Sequence, residues 1–455
     1  MTKKTDFRPE RRGWHSFKAS RGSRSINSPK SALGALRHRV HVRLGVYLLL
    51  ANLAVLHSTD SSAQSLNLSQ VLSLLENHSP VIAGAQAKRD AAQAALITAR
   101  AYPNPDMEVG GGAASGIGPG ALSGSNEQLY LTQPLDLPFV REARRKVAEA
   151  GIDSANLANQ AVWVAIRAQT RQAYYEILRR QAELTIAEDN EKLLAQIRDK
   201  VRIKVEVGEA PRYEEVKAEA EWLNAVKLRE TSSVRVEDAK SALRALFGAA
   251  LPMDFEPEGE LPAIDGALPS LENLREEVLA RQPILKQIRA AVDQAEARLR
   301  LEEKLRYPQP AIKAGVERDP GLEQWRVGIT VPLPLWNQRQ GPIGEARSEL
   351  RQSQAQASQQ ELTVLRELES AYNRFRIAER QVVTFETGLL RGAEAALKVA
   401  EAAYRLGERG ILDYLDAQRT YRSVRNDYLN ARFDRASAWI DIDRLRASEL
   451  KDENS

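Results

Sequence analysis

The chain contains one structural unit twice, and this repeat limits its possible folds more than any other feature. The motif YPNP at 102–105 recurs as YPQP at 307–310. Each copy continues with two short segments of alternating polar and apolar residues and then a proline-containing stop, PLDLP at 134–138 or PLPLW at 332–336. A very long helical pattern follows each stop. Two copies of one supersecondary unit explain this order better than chance does.

The long helical patterns predict two coiled-coil hairpins. They run over 141–205 and 343–406, about 100 Å each at 1.5 Å per residue. Each pattern breaks and returns as a shorter helix, over 212–247 in the first copy and 411–448 in the second. An apolar seam rich in alanine, with charged flanks, indicates helices that pack closely as antiparallel pairs.

Glycines mark the tips of both hairpins. Gly208 breaks the first pattern, and Gly407 and Gly410 break the second. Because glycine adopts left-handed backbone angles without steric cost, these positions predict sharp turns. Asp413 and Asp416 follow the second tip three residues apart. A helix there would point both carboxylates the same way.

Four short segments alternate with a period of two, which is typical of β-strands with one apolar face. They are 106–110, 128–133, 311–317 and 324–331. A lipid-facing barrel strand needs about 9–11 residues, and these segments are somewhat shorter. The sequence therefore allows either a sheet in a membrane or a soluble hairpin that caps the long helices. Four strands cannot close a barrel, and an open edge in lipid leaves backbone groups unsatisfied. A membrane location therefore requires several chains, and three would supply 12 strands.

Residues 1–63 have the composition of a signal peptide with a long basic leader. They hold 12 basic and 3 acidic residues, and an apolar run at 44–56 precedes a small-residue cleavage site at 61–63. The run is too short for a membrane helix, which needs about 20 residues. Without the leader the chain carries 53 basic and 58 acidic residues. The overall charge of +4 therefore does not indicate nucleic-acid binding.

These features predict a mainly α fold with a small β part, built from two tandem repeats. The predicted parts are the signal peptide (1–63), the first repeat (64–249, tip near 206–212), a linker (250–270), the second repeat (271–449, tip near 405–411) and a tail (450–455). Each repeat consists of a helix, two barrel strands and a long antiparallel coiled-coil hairpin.

The sequence contains no catalytic or cofactor-binding motif. It has no cysteine, and His78 is the only histidine after the leader, so thiolate and histidine-cluster metal sites are excluded. Neither a phosphate-binding loop of P-loop spacing nor a Gly-x-Ser-x-Gly motif occurs. We therefore expect no enzymatic activity, no metal site and no cofactor.

The second tip resembles that of the TolC family of outer-membrane efflux channels. The family pattern is a Tyr, a Gly three residues on, a basic residue two after it, and then Asp-x-x-Asp-Ala. It is matched by Tyr404, Gly407, Arg409, Asp413, Asp416 and Ala417. The repeat organisation is similar to the family over nearly all of the chain after the leader. The segment TQPLDLP at 132–138 also resembles the strand-to-helix junction of its heavy-metal and cation branch.

The first tip matches the family pattern only in part. Gly208 occupies the glycine position, and Glu214 the position of the first aspartate. Ala210 replaces the basic residue, and Lys217 replaces the second aspartate. The acidic pair of the pattern is therefore complete only at the second tip.

The resemblance implies a homotrimer with a barrel of 12 strands in the outer membrane, in contact with lipid, and a helical barrel across the periplasm. The hairpins would close its inner end. A periplasmic adaptor (membrane fusion) protein linked to an inner-membrane pump of RND or ABC type would open it. The channel would be a passive conduit for efflux or type I secretion. The alternative is a secreted periplasmic coiled-coil scaffold or adaptor.

The resemblance also implies roles for the acidic residues of the tip. In a threefold assembly Asp413 and Asp416 would form two stacked carboxylate rings that favour cations in the pore. There are two alternatives. Acids in a first helical turn interact favourably with the helix dipole, and Asp416 could pair with Arg419.

Three further residues, Tyr404, Arg409 and Glu214, would form a latch that holds the closed state. An exposed ion pair contributes only about 0–1 kcal/mol, so a latch needs several contacts at once, which three chains supply. As an alternative, these residues belong to solvated helix faces. The tips, marked by Gly208, Gly407 and Gly410, would contact the adaptor.

Overall fold

A computed structural model describes residues 65–264 and 268–448. The predicted signal peptide at 1–63 and the tail at 450–455 lie outside these residues. The described chain consists of long helices, a sheet of four antiparallel strands and one short parallel pair of strands, in two similar halves. The predicted fold class is therefore confirmed.

The first repeat consists of a two-residue strand, two short helices, two longer strands and a long hairpin. Its elements are β1 (Ser65–Leu66), α1 (Leu68–His78), α2 (Pro80–Arg100), β2 (Asp106–Ala114), β3 (Gly124–Pro134), α3 (Pro138–Glu206) and α4 (Arg212–Arg244). The 69 residues of α3 span about 100 Å. Pro80 and Pro138 lie in the first turn of their helices, where a missing N–H removes no hydrogen bond.

The segment between the repeats packs against the first one. Its short strand β4 (Glu256–Pro257) pairs in parallel with β1, and Phe255 is fully buried. The Tyr174 hydroxyl of α3 donates to the Leu66 carbonyl at 2.8 Å and accepts from the Glu258 N–H at 3.0 Å. Burial raises the pKa of this phenol. The predicted linker thus ties the start of the first repeat to the middle of α3.

The second repeat has the same order of elements. They are α5 (Leu271–Arg281), α6 (Pro283–Lys304), β5 (Ala311–Asp319), β6 (Leu322–Thr330), α7 (Gln340–Thr384), α8 (Leu390–Arg405) and α9 (Ile411–Arg446). A π-helical segment, Phe385–Leu389, joins α7 to α8. The predicted long helix is therefore present, with one local change of hydrogen bonding. The Tyr428 hydroxyl of α9 donates a hydrogen bond of 2.8 Å to Glu386 in this segment.

The strands β2, β3, β5 and β6 form one antiparallel sheet in that order. They contain 9, 11, 9 and 9 residues, and each is longer than predicted. Most of the added residues lie in a Gly-, Ala- and Ser-rich stretch without alternation. These residues extend the antiparallel pairing that the alternating residues of β2 and β3 begin: Gly111 lies opposite Glu127, and Ala114 lies opposite Gly124. The observed lengths match the roughly 9–11 residues that a strand needs to span a bilayer.

One face of this sheet is apolar and the other is polar. The apolar face has one row of Met107, Leu131, Ala314 and Val327 and a second row of Val109, Leu129, Val316 and Trp325. Trp325 is 77% exposed in the single chain. The polar face carries ion pairs between Glu108 and Lys313 (2.8 Å) and between Arg326 and Glu317 (3.3 Å). An exposed apolar patch of this kind marks a surface that contacts lipid or protein.

The helix α3 connects the two repeats, because it packs against α2, α4, α6 and α9. Each repeat buries its short first helix in a core of its own. Val71 and Leu75 of α1 are buried in the first repeat, and Leu274 and Val278 of α5 in the second. Within the described residues, none of the helices has both the length and the apolar character needed to cross a membrane.

Candidate functional site

Both hairpin tips turn through the same backbone structure. Gly208 has φ 81°, its N–H donates to the Val205 carbonyl (3.1 Å), and the Glu209 N–H donates to the Lys204 carbonyl (2.8 Å). Gly407 at the second tip has φ 77° and the two corresponding hydrogen bonds. This is the Schellman motif, in which a left-handed residue ends a helix. The two tips are therefore equivalent turns, as the repeat predicts.

Gly410 does not take part in this turn. Its φ of −73° and ψ of 164° are extended angles that any residue adopts, and it is the N-cap of α9. Pro211 occupies the same N-cap position before α4 at the first tip. Both predicted tip glycines of the second hairpin thus lie at its turn, but only Gly407 uses the left-handed angles that glycine permits.

We expect Gly407→Ala to loosen the second tip and Gly410→Ala to leave it intact. Left-handed angles cost an L-residue about 1–2 kcal/mol. No atom lies within 4 Å of an added Cβ at either glycine, so the two variants differ only in backbone strain. Limited proteolysis of the second tip measures the effect. Equal cleavage of the two variants would contradict the turn assigned to Gly407.

The helices of both hairpins share one apolar core just above the tips. It contains Leu194, Ile197 and Val201 of α3, Ala218 and Ala225 of α4, and Ile411, Tyr414 and Leu415 of α9. Burial of apolar surface contributes about 25 cal/mol per Å². One tip of a chain can therefore leave the other only by exposing part of this core.

Tyr404 lies where the two tips meet. Its ring stacks on Tyr414 with the centroids 5.9 Å apart, and the Lys204 ammonium is 4.8 Å from the ring centroid. Burial raises the pKa of the Tyr404 phenol, and the charge of Glu214 raises it further. Among the described residues, the buried hydroxyl has no hydrogen-bond partner. One chain thus brings Tyr404 and Glu214 near each other without a hydrogen bond between them.

Arg409 makes an ion pair within its own tip. Its guanidinium is 3.4 Å from the carboxylate of Asp413 in the same tip, and the two side chains are 66% and 53% exposed. An exposed pair of this kind contributes about 0–1 kcal/mol. Within one chain, Arg409 therefore makes a weak local ion pair.

Asp413 and Asp416 lie in the first two turns of α9, and both are exposed. Asp413 stands in the first turn, where the helix dipole favours a negative charge. The alternative that Asp416 pairs with Arg419 is wrong, because Arg419 pairs with Glu221 of α4. The described part of the chain has no group of three or more His, Cys, Asp or Glu able to hold a metal ion. A site of several carboxylates at this tip would therefore need more than one chain.

Two contacts between the hairpins follow from no local sequence pattern. One is the ion pair between Glu221 and Arg419. The other is a buried hydrogen bond of 3.5 Å from the Gln418 amide to the Asn190 side chain of α3. Their partners are 198 and 228 residues apart in sequence. Only the register of α3 and α4 against α9 brings them together.

Comparison with known proteins identifies the family. The model of the family described as outer membrane efflux protein matches residues 71–249 and 274–447, once in each repeat. The chain is 26% identical over 386 residues to the cobalt-zinc-cadmium resistance protein CzcC of Cupriavidus metallidurans, covering 84% of this chain and 90% of CzcC. It is 24% identical over 399 residues to the outer membrane protein TolC of Salmonella enteritidis, covering 82% and 80%.

A solved channel shares the fold. The CmeC outer membrane channel of Campylobacter jejuni matches with a TM-score of 0.74 at 15% identity, over 85% of this chain and 87% of CmeC. The two family matches cover most of the chain and both hairpins, which decides against the coiled-coil scaffold. TolC-type channels are not enzymes, and they work within tripartite efflux systems. The chain therefore belongs to the outer membrane efflux protein family and is an outer-membrane efflux channel of the TolC type that extends into the periplasm.

Proposed function

We propose that three copies of the chain share one barrel of 12 strands. The observation that carries this proposal is the sheet itself, in which β2 and β6 are the two edges. An open edge in lipid leaves backbone N–H and C=O groups unsatisfied, at several kcal/mol each. Pairing β6 of one protomer with β2 of the next removes every edge. Twelve strands lie within the range of outer-membrane barrels.

In this barrel the apolar rows of the sheet face lipid and the polar face lines the pore. The row from Val109 to Trp325 would then lie against acyl chains, where a charged side chain costs about 2–4 kcal/mol. The ion pair between Glu108 and Lys313 would face water. This orientation accounts for the apolar side chains that a single chain leaves exposed.

The helical hairpins then form the periplasmic conduit, and their tips close it. Asp413 and Asp416 are exposed in one chain, so they are available to form rings around a threefold axis. The Tyr404 hydroxyl is buried in one chain without a partner among the described residues, so a latch requires this side chain to turn toward the neighbouring protomer. A periplasmic adaptor protein would bind the hairpins, and an inner-membrane pump of RND or ABC type would supply the energy. The conduit itself remains passive.

We propose divalent transition-metal cations as the exported substrate. The name of CzcC states resistance to cobalt, zinc and cadmium, and two exposed carboxylates per chain at the closed end favour cations over anions. The conduit needs no strong metal ligands, because export requires passage rather than retention. The choice among metals belongs to the pump.

The trimer is tested by the mass of the channel extracted from outer membranes in mild detergent. We expect a particle of three chains by native mass spectrometry. Val327→Asp places a charge on the lipid face and should reduce the assembled trimer severalfold, because a carboxylate in lipid is unfavourable, although it costs less than the roughly 2–4 kcal/mol of a Lys or Arg. Gly328→Asp is the matched control, because it adds the same charge one residue away on the polar face, opposite Lys313, with no atom within 4 Å of the added Cβ. Monomers alone, or equal losses in the two variants, would contradict the shared barrel.

A further inference from the structure

A basic cavity lies where the first repeat passes from sheet to helices. It has a volume of about 320 Å³ and lies between the end of α2 and the first turns of α3. Its lining consists of Arg100, Pro138, Arg141, Glu142 and Arg145. Three guanidinium groups and one carboxylate give the lining an excess positive charge. A cavity of this kind favours an anion.

Two of these arginines are available to a ligand. Arg145 is not available, because its guanidinium forms ion pairs with Glu142 at 2.9 Å and Glu149 at 3.2 Å. Arg100 and Arg141 have no carboxylate partner within the described residues. The Arg141 guanidinium instead lies over the ring of Tyr102, 4.1 Å from its centroid. This contact holds the side chain in place and leaves its N–H donors free.

The second repeat provides an internal comparison. Arg339 stands three residues after PLPLW, as Arg141 stands three residues after PLDLP. Arg339 forms an ion pair with Glu302 of α6, five residues before Tyr307. The position five residues before Tyr102 is Ile97, which cannot neutralise Arg141. The first repeat therefore keeps a free cation where the second repeat has an ion pair.

The position of the cavity at the junction of sheet and helices leads us to infer that it lies near the membrane surface. Tyr102 and Tyr307 stand directly before the strands, and Tyr102 is 66% exposed. Phe139 packs edge-on against Tyr307 with the ring centroids 5.5 Å apart. Tyr is enriched at membrane–water interfaces, where its ring sits among lipid headgroups. Because the helices extend into the periplasm, this end of the sheet meets the inner leaflet of the outer membrane.

The start of α3 adds to the attraction for anions. Pro138 is in the first turn of this long helix, and a helix N-terminus carries a partial positive charge that favours phosphate groups. Planar guanidinium groups donate paired hydrogen bonds to phosphate oxygens, and such charge-assisted bonds are about twice as strong as neutral ones. The cavity thus combines three sources of positive potential at the junction where α3 begins.

We propose that this cavity binds the phosphate of an anionic phospholipid of the inner leaflet. Arg100 and Arg141 donate to the phosphate oxygens, Tyr102 packs beside the glycerol, and the acyl chains lie along the apolar face of β2 and β3. The site anchors the channel at a fixed depth in the membrane. The proposed lipid site rests on the outer-membrane location of the chain and not on the trimer. The mass of the assembled channel therefore tests the trimer independently of the lipid site.

The test measures phospholipid retained by the purified full-length channel, using native mass spectrometry after exchange into micelles that contain phosphatidylglycerol or phosphatidylcholine. We expect a clear preference for phosphatidylglycerol. Arg100→Gln with Arg141→Gln should weaken it about tenfold or more, because two charge-assisted bonds are removed. The control, Lys304→Gln with Arg306→Gln, removes the same charge at the same level of the second repeat and should retain the lipid.

A second variant leaves both arginines in place. Ile97→Glu installs the carboxylate that neutralises Arg339 in the second repeat, at a side chain that is 73% exposed. It should abolish the preference without unfolding the chain. The proposal is overturned if Ile97→Glu and the double arginine variant both bind lipid as the parent does, or if the control loses lipid equally. Inorganic phosphate that displaces the lipid at millimolar concentration would assign the cavity to a free anion instead.

Discussion

A channel that carries Tyr404→Phe and Arg409→Ser together should conduct at rest about a hundred times more than the parent channel. Each polar contact across the closed tips contributes about 1 kcal/mol, and the loss of one such contact from each of the three protomers weakens the closed state by about 3 kcal/mol. A change of about 3 kcal/mol in the closed state shifts a two-state equilibrium by roughly a factor of 100. We expect these contacts to lie between protomers, because Arg409 is 66% exposed in one chain. The Tyr404 hydroxyl, which is buried without a partner among the described residues, would turn outward to join them.

Single-channel recording in planar bilayers measures this effect. Tyr404→Phe keeps the ring that stacks on Tyr414 and removes only the hydroxyl, so the shared tip core stays intact. The matched control is Tyr213→Phe with Arg405→Ser, which makes the same chemical changes at exposed positions of the two tips. A channel with Tyr404→Phe and Arg409→Ser that stays as closed as the control would contradict the latch.

Removal of the two tip aspartates, by Asp413→Ala with Asp416→Ala, should abolish most of the block of the pore by multivalent cations. In the trimer this change deletes six carboxylates around one axis. Like charges held close together attract a divalent cation much more strongly than a single exposed carboxylate does. We expect the apparent affinity of the blocking cation to fall about tenfold or more, with a smaller difference at high salt because screening weakens the attraction.

The block is measured as the concentration of divalent cation that halves the current. Glu209→Ala with Glu408→Ala is the control, because it removes two exposed acids per chain from the tip turns and leaves α9 unchanged. If the aspartates only interact favourably with the dipole of α9, their loss lowers the stability of the tip by about 0.3–1 kcal/mol and leaves the block by cations unchanged. Equal block in the two variants would therefore contradict the ring.

The sequence alone predicts the fold wherever the signal is local and periodic. The two long helices and their breaks at Gly208 and Gly407 follow from apolar spacing and glycine chemistry. The strands are predicted too short, because stretches such as 111–114 show no alternation and become part of a strand only by pairing with β3. The π-helical segment Phe385–Leu389 also leaves no mark on the apolar pattern, since it changes hydrogen bonding and not burial.

At the second tip too, the sequence predicts the site residues but not the contacts between distant parts of the chain. Tyr404, Arg409, Asp413 and Asp416 are found from the family resemblance, and the structure places all four at the second tip. Their partners inside the chain depend on contacts between the hairpins. The pairing of Arg419 with Glu221 rather than with Asp416 is decided by helix packing, which neither spacing nor charge in the sequence specifies.

The most direct test of closure by the hairpins asks whether three second tips meet on one axis. The chain has no cysteine, so Asp416→Cys introduces a single thiol per protomer, and three thiolates together bind the soft cation Cd²⁺. We predict that micromolar Cd²⁺ blocks the current of this variant, that a chelator reverses the block, and that Glu230→Cys, on the exposed side of α4, is insensitive. A current through the Asp416→Cys channel that Cd²⁺ leaves unchanged would contradict closure by converging hairpin tips.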